Sequence, residues 1–507
     1  MNIEELKYQI LQQFGFPPTP EQAQALDVFV QFMADSNPHA VMILRGSAGT
    51  GKTSLSGAIV RTLRAVRQKV MLLAPTGRAA KVFSLNSGMP AYTIHRRIYR
   101  EKAFAGVDGQ FNLNDNLYTD TLFMVDEASM IANLGLGGTT FGSGCLLDDL
   151  IHFVYQGRND RLLLIGDKAQ LPPVGEEESP ALSAAMLQGY GLSVYECDLN
   201  EVVRQSQQSG ILFNATRIRQ MITHDDITQL PKIRFSGFSD IREMPGAELI
   251  EALGDSYHQV GLDDTIVVTR SNKRANIFNQ GIRNMVLDRE EELESGDMLM
   301  IVKNNYYWME EERKKIKESE ERKVKSEKFN TLANHTVQSN EVPSHEIPAF
   351  LANGDRAKVM KVSRRIELNG FHFATLLLKF PDYDNYELEA TVLLDTLTSE
   401  APALTHDQQE QLFHKIEEDY QDIPLKADRM KAIRQDPYFN ALQVKFAYAV
   451  TCHKAQGGQW SHVYVDQGYM TDDMLTPDYI HWLYTAFTRA TEMLYLVNWP
   501  KTQVEGE

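Results

Sequence analysis

Cysteine is scarce: Cys145, Cys197 and Cys452 are the only three in 507 residues, and they stand far apart. That spacing offers no C-x-x-C metal or redox pair. It fits a reducing compartment, with Cys145 and Cys197 as packing residues. Long hydrophobic runs are absent too. No stretch reaches eighteen apolar residues, so no membrane span is expected. The opening Met-Asn-Ile-Glu-Glu-Leu-Lys has neither a basic n-region nor an apolar h-region, and no secretory signal is expected. A cytoplasmic location is the resulting expectation. Positive charge is in deficit, with 51 Lys and Arg against 68 Asp and Glu, a net −17. This argues weakly against a bulk polyanion binder. It leaves room for a local basic groove that grips a nucleic acid and releases it. What the chain does have is ordinary globular stock, 43% hydrophobic. Its length exceeds one core and implies about two to four domains.

The most specific feature is the run Gly46-Ser47-Ala48-Gly49-Thr50-Gly51-Lys52-Thr53. It satisfies G-x-x-x-x-G-K-[ST] at every position. An apolar strand, His39–Arg45, precedes it and a helix follows from Leu55. A strand that turns through glycines into a helix aims backbone N–H groups and a helix N-terminus at one point, which binds phosphate. Lys52 would reach the β- and γ-phosphates of a nucleoside triphosphate such as ATP, and Thr53 would hold Mg²⁺. Upstream, Thr19-Pro20-Glu21-Gln22 reads as a capping box.

Apolar strands recur at 69–74, 121–125, 161–165 and 193–197, separated by helical or loop stretches, which implies a parallel sheet covered by helices. A second set at 264–269, 444–451, 462–466 and 493–498 implies another. Three inserts interrupt the plan. Residues 96–120 carry Asp108-Gly109 between short segments, a hairpin signal. Residues 133–144 form a glycine-rich loop. Residues 309–328 are a mixed charge run with Glu310/Lys314, Glu311/Lys315, Glu318/Arg322 and Glu321/Lys325 four apart, an exposed helix with Met309, Ile316 and Val324 as a thin seam. It reads as a solvated excursion ahead of a binding arm. Short alternating strands after Asn353-Gly354-Asp355 suggest a small β-barrel, with a helical stretch near 408–420.

Two acids close the strand at 121–125. After a P-loop, Asp126 suits Mg²⁺ and Glu127 suits orienting or deprotonating an attacking water. The next strand ends in Gly166-Asp167-Lys-Ala-Gln170-Leu-Pro-Pro-Val174, where Gln170 could contact a γ-phosphate and report its loss.

The run 166–174 resembles motif III of superfamily 1B DNA helicases of the RecD-like and phage Dda type. Other motifs follow in the same order. Gln22 is similar to the adenine-reading Q-motif glutamine, a role that can coexist with capping. Thr76-Gly-Arg78-Ala-Ala-Lys81 resembles motif Ia, Thr93-Ile-His95 motif Ib, and Leu199–Gln205 the segment that brings Arg204 towards the γ-phosphate. Thr451-Cys-His453-Lys454-Ala-Gln456-Gly457 resembles motif V, and Tyr484-Thr-Ala-Phe-Thr-Arg489-Ala490 motif VI. Ala455, Gln459 and Phe487 depart from the usual serine, acid and aliphatic residue.

The resemblance implies two RecA-like parallel-sheet domains with an inserted hairpin pin and an inserted small SH3-like β-barrel. The expected division is 1–205 for the first domain with its hairpin at 96–120, 206–350 for the first part of the second with the 309–328 insert, 351–440 for the barrel, and 441–507 for completion of the second. The implied activity is ATP-dependent 5′→3′ movement on DNA with duplex unwinding, in a DNA repair or recombination setting. Lys52, Glu127, Gln170, Arg204 and Arg489 are its expected catalytic residues, with both arginines facing the P-loop across a cleft. Thr76, Arg78, His95, Phe104, Thr451, His453 and Lys454 would contact DNA, Phe104 or Phe111 as the pin. Each has a plainer structural alternative: a surface ion pair for the arginines, a buried neutral ring for the histidines, packing for the phenylalanines. The partner is single-stranded DNA of any sequence and its junctions, bound by a monomer, with RNA open as a second track and no membrane. Two other functions stay open: a DNA-dependent translocase or remodelling ATPase without strand separation, and a P-loop signalling or binding ATPase without nucleic acid.

Overall fold

The structure is a computed structural model that describes residues 3–101, 111–135, 142–202, 208–224, 228–330 and 350–506. The chain divides into two compact units, Met1–Asp288 with Tyr448–Glu507, and Arg289–Ala447.

The first unit begins with β1 (Ala40–Gly46), β2 (Lys69–Ala74) and β3 (Ala91–Thr93). A two-stranded antiparallel hairpin follows, β4 (Tyr99–Glu101) with β5 (Phe111–Leu113). Its expected tip, with Phe104, lies outside the described residues. Next come β6 (Thr121–Val125), β7 (Arg161–Gly166) and β8 (Ser193–Leu199). Six of these make one sheet in the order β3-β2-β6-β7-β1-β8. Every pairing in it is parallel. Helices such as Lys52–Ala65 and Gly77–Ser87 make the crossovers, as parallel pairing requires. Helices Ile3–Phe14, Pro20–Ala34 and Lys52–Ala65 bury Ile10, Leu26, Phe29, Leu55 and Leu63 with Met42, Leu44, Leu72 and Met124 of the strands. Because β6, β7 and β1 are neighbours, the turns after Val125, Gly166 and Gly46 leave the sheet side by side.

The same unit holds a second all-parallel sheet. It uses β9 (Ile241–Met244) and β10 (Thr265–Thr269) before the excursion to the second unit.

That excursion contains β11 (Met298–Ile301), β12 (Arg356–Leu368), β13 (Phe371–Phe380), β14 (Tyr386–Leu393) and β15 (Leu442–Phe446), which close a barrel. β11 pairs antiparallel with both β12 and β15, so the barrel takes strands from outside 351–440. Met-Leu-Met-Ile is buried throughout and shows no alternation, which left it unread. Helices His406–Asp419 and Lys426–Arg434 bring Leu412, Ile416 and Ile433 onto Phe371, Phe373 and Leu393. The charge run forms one helix, Tyr307–Asn330. Its ion pairs Glu311–Lys314 and Glu312–Lys315 close at 2.7 and 2.6 Å with three-residue spacing, not the expected four. Met309 of its expected seam is buried.

The chain then returns to the first unit through β16 (Ala449–Thr451), β17 (Trp460–Asp466) and β18 (Ala490–Val497). The second sheet runs β16-β10-β17-β18-β9. The apolar run 444–451 is therefore two strands, not one. Asn279 captures the chain at the break: its Oδ1 accepts from the N–H groups of Tyr448 and Ala449 at 3.1 and 2.7 Å.

Candidate functional site

The Gly46–Thr53 loop adopts a backbone that requires glycine. Gly49 and Gly51 have φ of 80° and 85°, a left-handed region that other residues enter at a cost. A Cβ on Gly46 would lie 2.8 Å from Thr50 Oγ1 and 3.0 Å from Lys52 Cγ, so the loop closes on itself there. Thr50 Oγ1 donates to the Ser47 carbonyl at 2.8 Å. Lys52 Nζ donates to the carbonyls of Gly46 and Ser47. Gln22 braces the loop from below. Its Oε1 accepts from Thr19 N–H at 3.1 Å and completes the capping box, while its Nε2 donates to the Thr50 carbonyl at 2.9 Å. The amide of Gln22, which is 1% exposed, is thus used within the protein.

Asp126 and Glu127 sit where β6 ends. Asp126 Oδ1 accepts from Glu127 N–H at 2.9 Å. Burial, with the adjacent Glu127 charge, pushes the Asp126 carboxyl up to about 7, against the pull of the Glu127 N–H and the Lys52 ammonium. Glu127 itself has φ of 52°. A non-glycine residue in that region stores about 1 kcal/mol of strain or more, and it turns the chain sharply into the 3₁₀ turn Ala128–Met130.

Tyr484, from helix Pro477–Phe487, connects the loop to the turn after β7. Its buried hydroxyl accepts from Ala48 N–H at 3.0 Å and donates to Asp167 Oδ2 at 2.6 Å. The same helix holds the rest of that turn. Thr485 Oγ1 accepts from Leu171 N–H at 2.8 Å, and His481 Nδ1 donates to the Ala169 carbonyl at 2.9 Å. Gln456 Nε2 donates to the Leu171 carbonyl at 2.7 Å. Gln170 lies inside this stitching. It is 6% exposed, and its Oε1 has no hydrogen-bond partner among the described residues.

Of the two expected arginines, Arg489 is described, and its donors are taken up away from the loop. Arg489 is buried, and its guanidinium donates to the Thr485 carbonyl at 3.0 Å, the Gly458 carbonyl at 2.9 Å and Thr488 Oγ1 at 3.1 Å. Here it ties the end of its own helix to the Gly457-Gly458 turn. Local acceptors reach a buried fork of donors before a distant loop can. Arg204 lies outside the described residues. Among the described residues an arginine that touches the loop is Arg219, whose Nη1 donates to Ser47 Oγ at 2.5 Å.

Two family models match the chain: an AAA domain over residues 18–230 and a UvrD-like helicase C-terminal domain over residues 446–497. The ATP-dependent RecD2 DNA helicase of Deinococcus radiodurans is 30% identical over 193 residues, 38% of this chain and 22% of that protein. The ATP-dependent DNA helicase dda of Enterobacteria phage T4 is 23% identical over 300 residues, 56% of this chain and 60% of that one. Over the matched residues the chain is similar to these two DNA helicases. An uncharacterized protein of Methanocaldococcus jannaschii is 34% identical over 167 residues, 31% of this chain and 13% of that protein. The matched regions thus cover less than two thirds of each relative's length.

The segments that resemble motifs Ia and V face each other. Thr76 caps helix Gly77–Ser87 by accepting from Ala79 N–H. A Cβ on Gly457 would lie 3.1 Å from Thr76 Oγ1, so only a glycine backbone fits at that approach. Arg78, expected on a DNA phosphate, donates to the Gln459 carbonyl at 2.6 Å and lies 4.3 Å from the Trp460 ring centroid. Gln459 serves here through its backbone carbonyl. His95 packs 5.6 Å from the Tyr99 ring, and burial lowers its pKa to about 4. At neutral pH it is an uncharged ring, its plainer alternative. Thr451 is half-buried and His453 exposed, the latter on the short helix Cys452–Ala455 that carries Lys454.

Sequence reasoning quoted Asp167, Tyr484 and Thr485 inside motifs III and VI without roles, and it passed over Arg219. The signal for Arg219 is its place four residues after the buried Ala215, at the edge of the face that the helix buries.

Proposed function

We propose that the protein is an ATP-dependent DNA helicase that moves 5′→3′ on single-stranded DNA and opens the duplex ahead of it. The observation that carries this reading is the line Ala48 N–H, Tyr484 hydroxyl, Asp167 carboxylate. It joins the phosphate loop, motif III and motif VI in a single path, so a change at the loop is felt in the second sheet. A binding ATPase needs no such path; a motor does.

The division of labour follows from the positions. The loop N–H groups and Lys52 hold the β- and γ-phosphates. The Thr53 hydroxyl and the Asp126 carboxyl form a hard oxygen donor set that suits Mg²⁺ together with phosphate oxygens. Bound there, the ion neutralises phosphate charge. Glu127, held at the turn by its left-handed backbone, orients the attacking water and takes its proton. Gln170 offers the terminal phosphate a buried amide. The facing motif Ia and V segments, with Thr76, Thr451, His453 and Lys454, supply backbone-phosphate contacts, which carry no base information. The names of the RecD2 and Dda relatives agree with DNA as the track, and the polarity rests on the resemblance of the motifs. The β4–β5 hairpin suits a pin, with Phe104 or Phe111 as the residue that would stack on the junction; Phe104 lies outside the described residues.

Unwinding of duplexes with a 5′ or a 3′ single-stranded tail tests the reading. Separation of the 5′-tailed substrate alone, dependent on ATP, is expected. Separation of only the 3′-tailed substrate contradicts the polarity, and separation of neither contradicts the helicase reading.

A further inference from the structure

We infer that Arg219 is a phosphate-contacting catalytic residue, the arginine that the second sheet delivers to the terminal phosphate of ATP. The inference rests on the ATPase reading above and assigns it a residue outside the recognised motifs.

Three observations converge on it. The guanidinium is already at the loop: Nη1 is 2.5 Å from Ser47 Oγ, and Nη1 and Nη2 are each 3.3 Å from the Asn200 carbonyl. Among the described residues no carboxylate is ion-paired with it, so its charge is not neutralised by a partner. It also lines a cavity of about 1110 Å³ together with Gly46, Ser47, Asp167 and His481. The lining is of mixed charge, with Arg45 and Lys168 beside Asp167, Asp198 and Asp478; Arg45 is already paired with Asp198.

Its mounting is equally specific. Helix Gly210–Thr223 starts against the second sheet. Ser209 Oγ donates to Asp240 Oδ2 at 2.5 Å, and Gly210 N–H donates to Asp240 Oδ1 at 2.7 Å. A Cβ on Gly210 would lie 2.4 Å from Ile241 Cγ2, so the helix end is locked to β9. Along its length the helix packs on helix Pro477–Phe487, which carries Tyr484. Leu212 rests on the loop, 3.3 Å from the Cβ position of Gly49. Any shift of the second sheet against the first therefore moves the guanidinium relative to the phosphates. This is the logic of an arginine finger, placed on a linking helix.

The step it serves is hydrolysis. A water oxygen bonds to the γ-phosphorus as the bond to the bridging oxygen breaks. The bridging oxygen leaves with the electron pair on ADP, and the water proton passes to Glu127. The planar fork of Arg219 donates to the γ-phosphate oxygens while charge shifts.

The test compares ATP and ADP affinity, by competition with a fluorescent nucleotide, and steady-state turnover in the full-length wild type, Arg219→Ala and Arg219→Lys. Arg219→Ala is expected to weaken ATP about tenfold or more, leave ADP within about twofold, and lower kcat by about 10²–10³. Arg219→Lys is expected to recover ATP affinity but not turnover. Should Arg219→Ala fail to fold, Arg219→Gln, which keeps a donor to Ser47, carries the same expectation. Unchanged turnover, or equal weakening of ATP and ADP, overturns the inference and leaves the ATPase reading standing. A wild type that binds neither nucleotide overturns both.

Discussion

Lys52 and Arg489 show what a residue's type does and does not reveal. The role of Lys52 follows from covalent pattern, because only a glycine-bounded loop places an ammonium there. Lys52→Ala is expected to reduce ATP turnover by at least about a hundredfold, measured as phosphate release; unchanged turnover contradicts the site. Arg489 was legible as a charged residue in the right motif, but its direction was not. Sequence cannot say that Thr485, Thr488 and Gly458 will take up its donors first. Arg489→Ala is accordingly expected to lower stability by about 2–4 kcal/mol, since it leaves buried carbonyls unsatisfied, with loss of activity following loss of structure. A variant that melts like the wild type yet hydrolyses nothing returns Arg489 to a direct catalytic role. Tyr484 was within a quoted motif, and only its neighbours in space reveal a hydroxyl shared between Ala48 and Asp167.

At the scale of elements, the sequence showed those strands whose burial makes a continuous apolar run. The strands β1, β2, β6, β7 and β8 lay within a residue or two of their expected places. It missed β9, Ile-Arg-Glu-Met, whose two middle residues are exposed at the sheet edge, and β11, too short to show a period. It also merged β15 with β16, because the capture by Asn279 is a long-range contact. The glycine at the start of helix Gly210–Thr223 is an element-scale constraint. Gly210→Ala forces a clash with Ile241 and Phe238 and is expected to cost about 1–3 kcal/mol, measured by urea unfolding. No loss of stability shows that the helix end is not fixed to β9. The hairpin has its own expectation. Phe104→Ala should slow unwinding more than translocation along single strands, and equal slowing argues against a pin.

At the scale of the whole molecule, the two units carry different physics. The barrel unit holds Asp355, whose carboxyl is 3% exposed and accepts from Tyr383 and from Ala352 N–H at 2.6 and 2.7 Å. Burial raises its pKa from 3.8 to about 7. The folded state therefore keeps a proton that the unfolded chain releases. That contribution to stability is complete below pH about 4 and is lost as pH rises to about 7. Relative to wild type, Asp355→Asn should be weakest near the acid end of this window and gain ground toward pH 7 in urea unfolding. A constant difference across the window contradicts the assignment. The other unit holds both α/β sheets and every motif of the nucleotide site. In that unit Tyr484 links the phosphate loop to the turn after β7, and we propose that this link couples the loop to the segments offered to DNA. The most direct test is the ratio of ATP turnover with and without single-stranded DNA, in the wild type and in Tyr484→Phe. Strong stimulation by DNA is expected in the wild type and a ratio collapsed towards one in the variant, with ATP affinity retained. No stimulation in the wild type, or the same ratio in both proteins, contradicts that coupling.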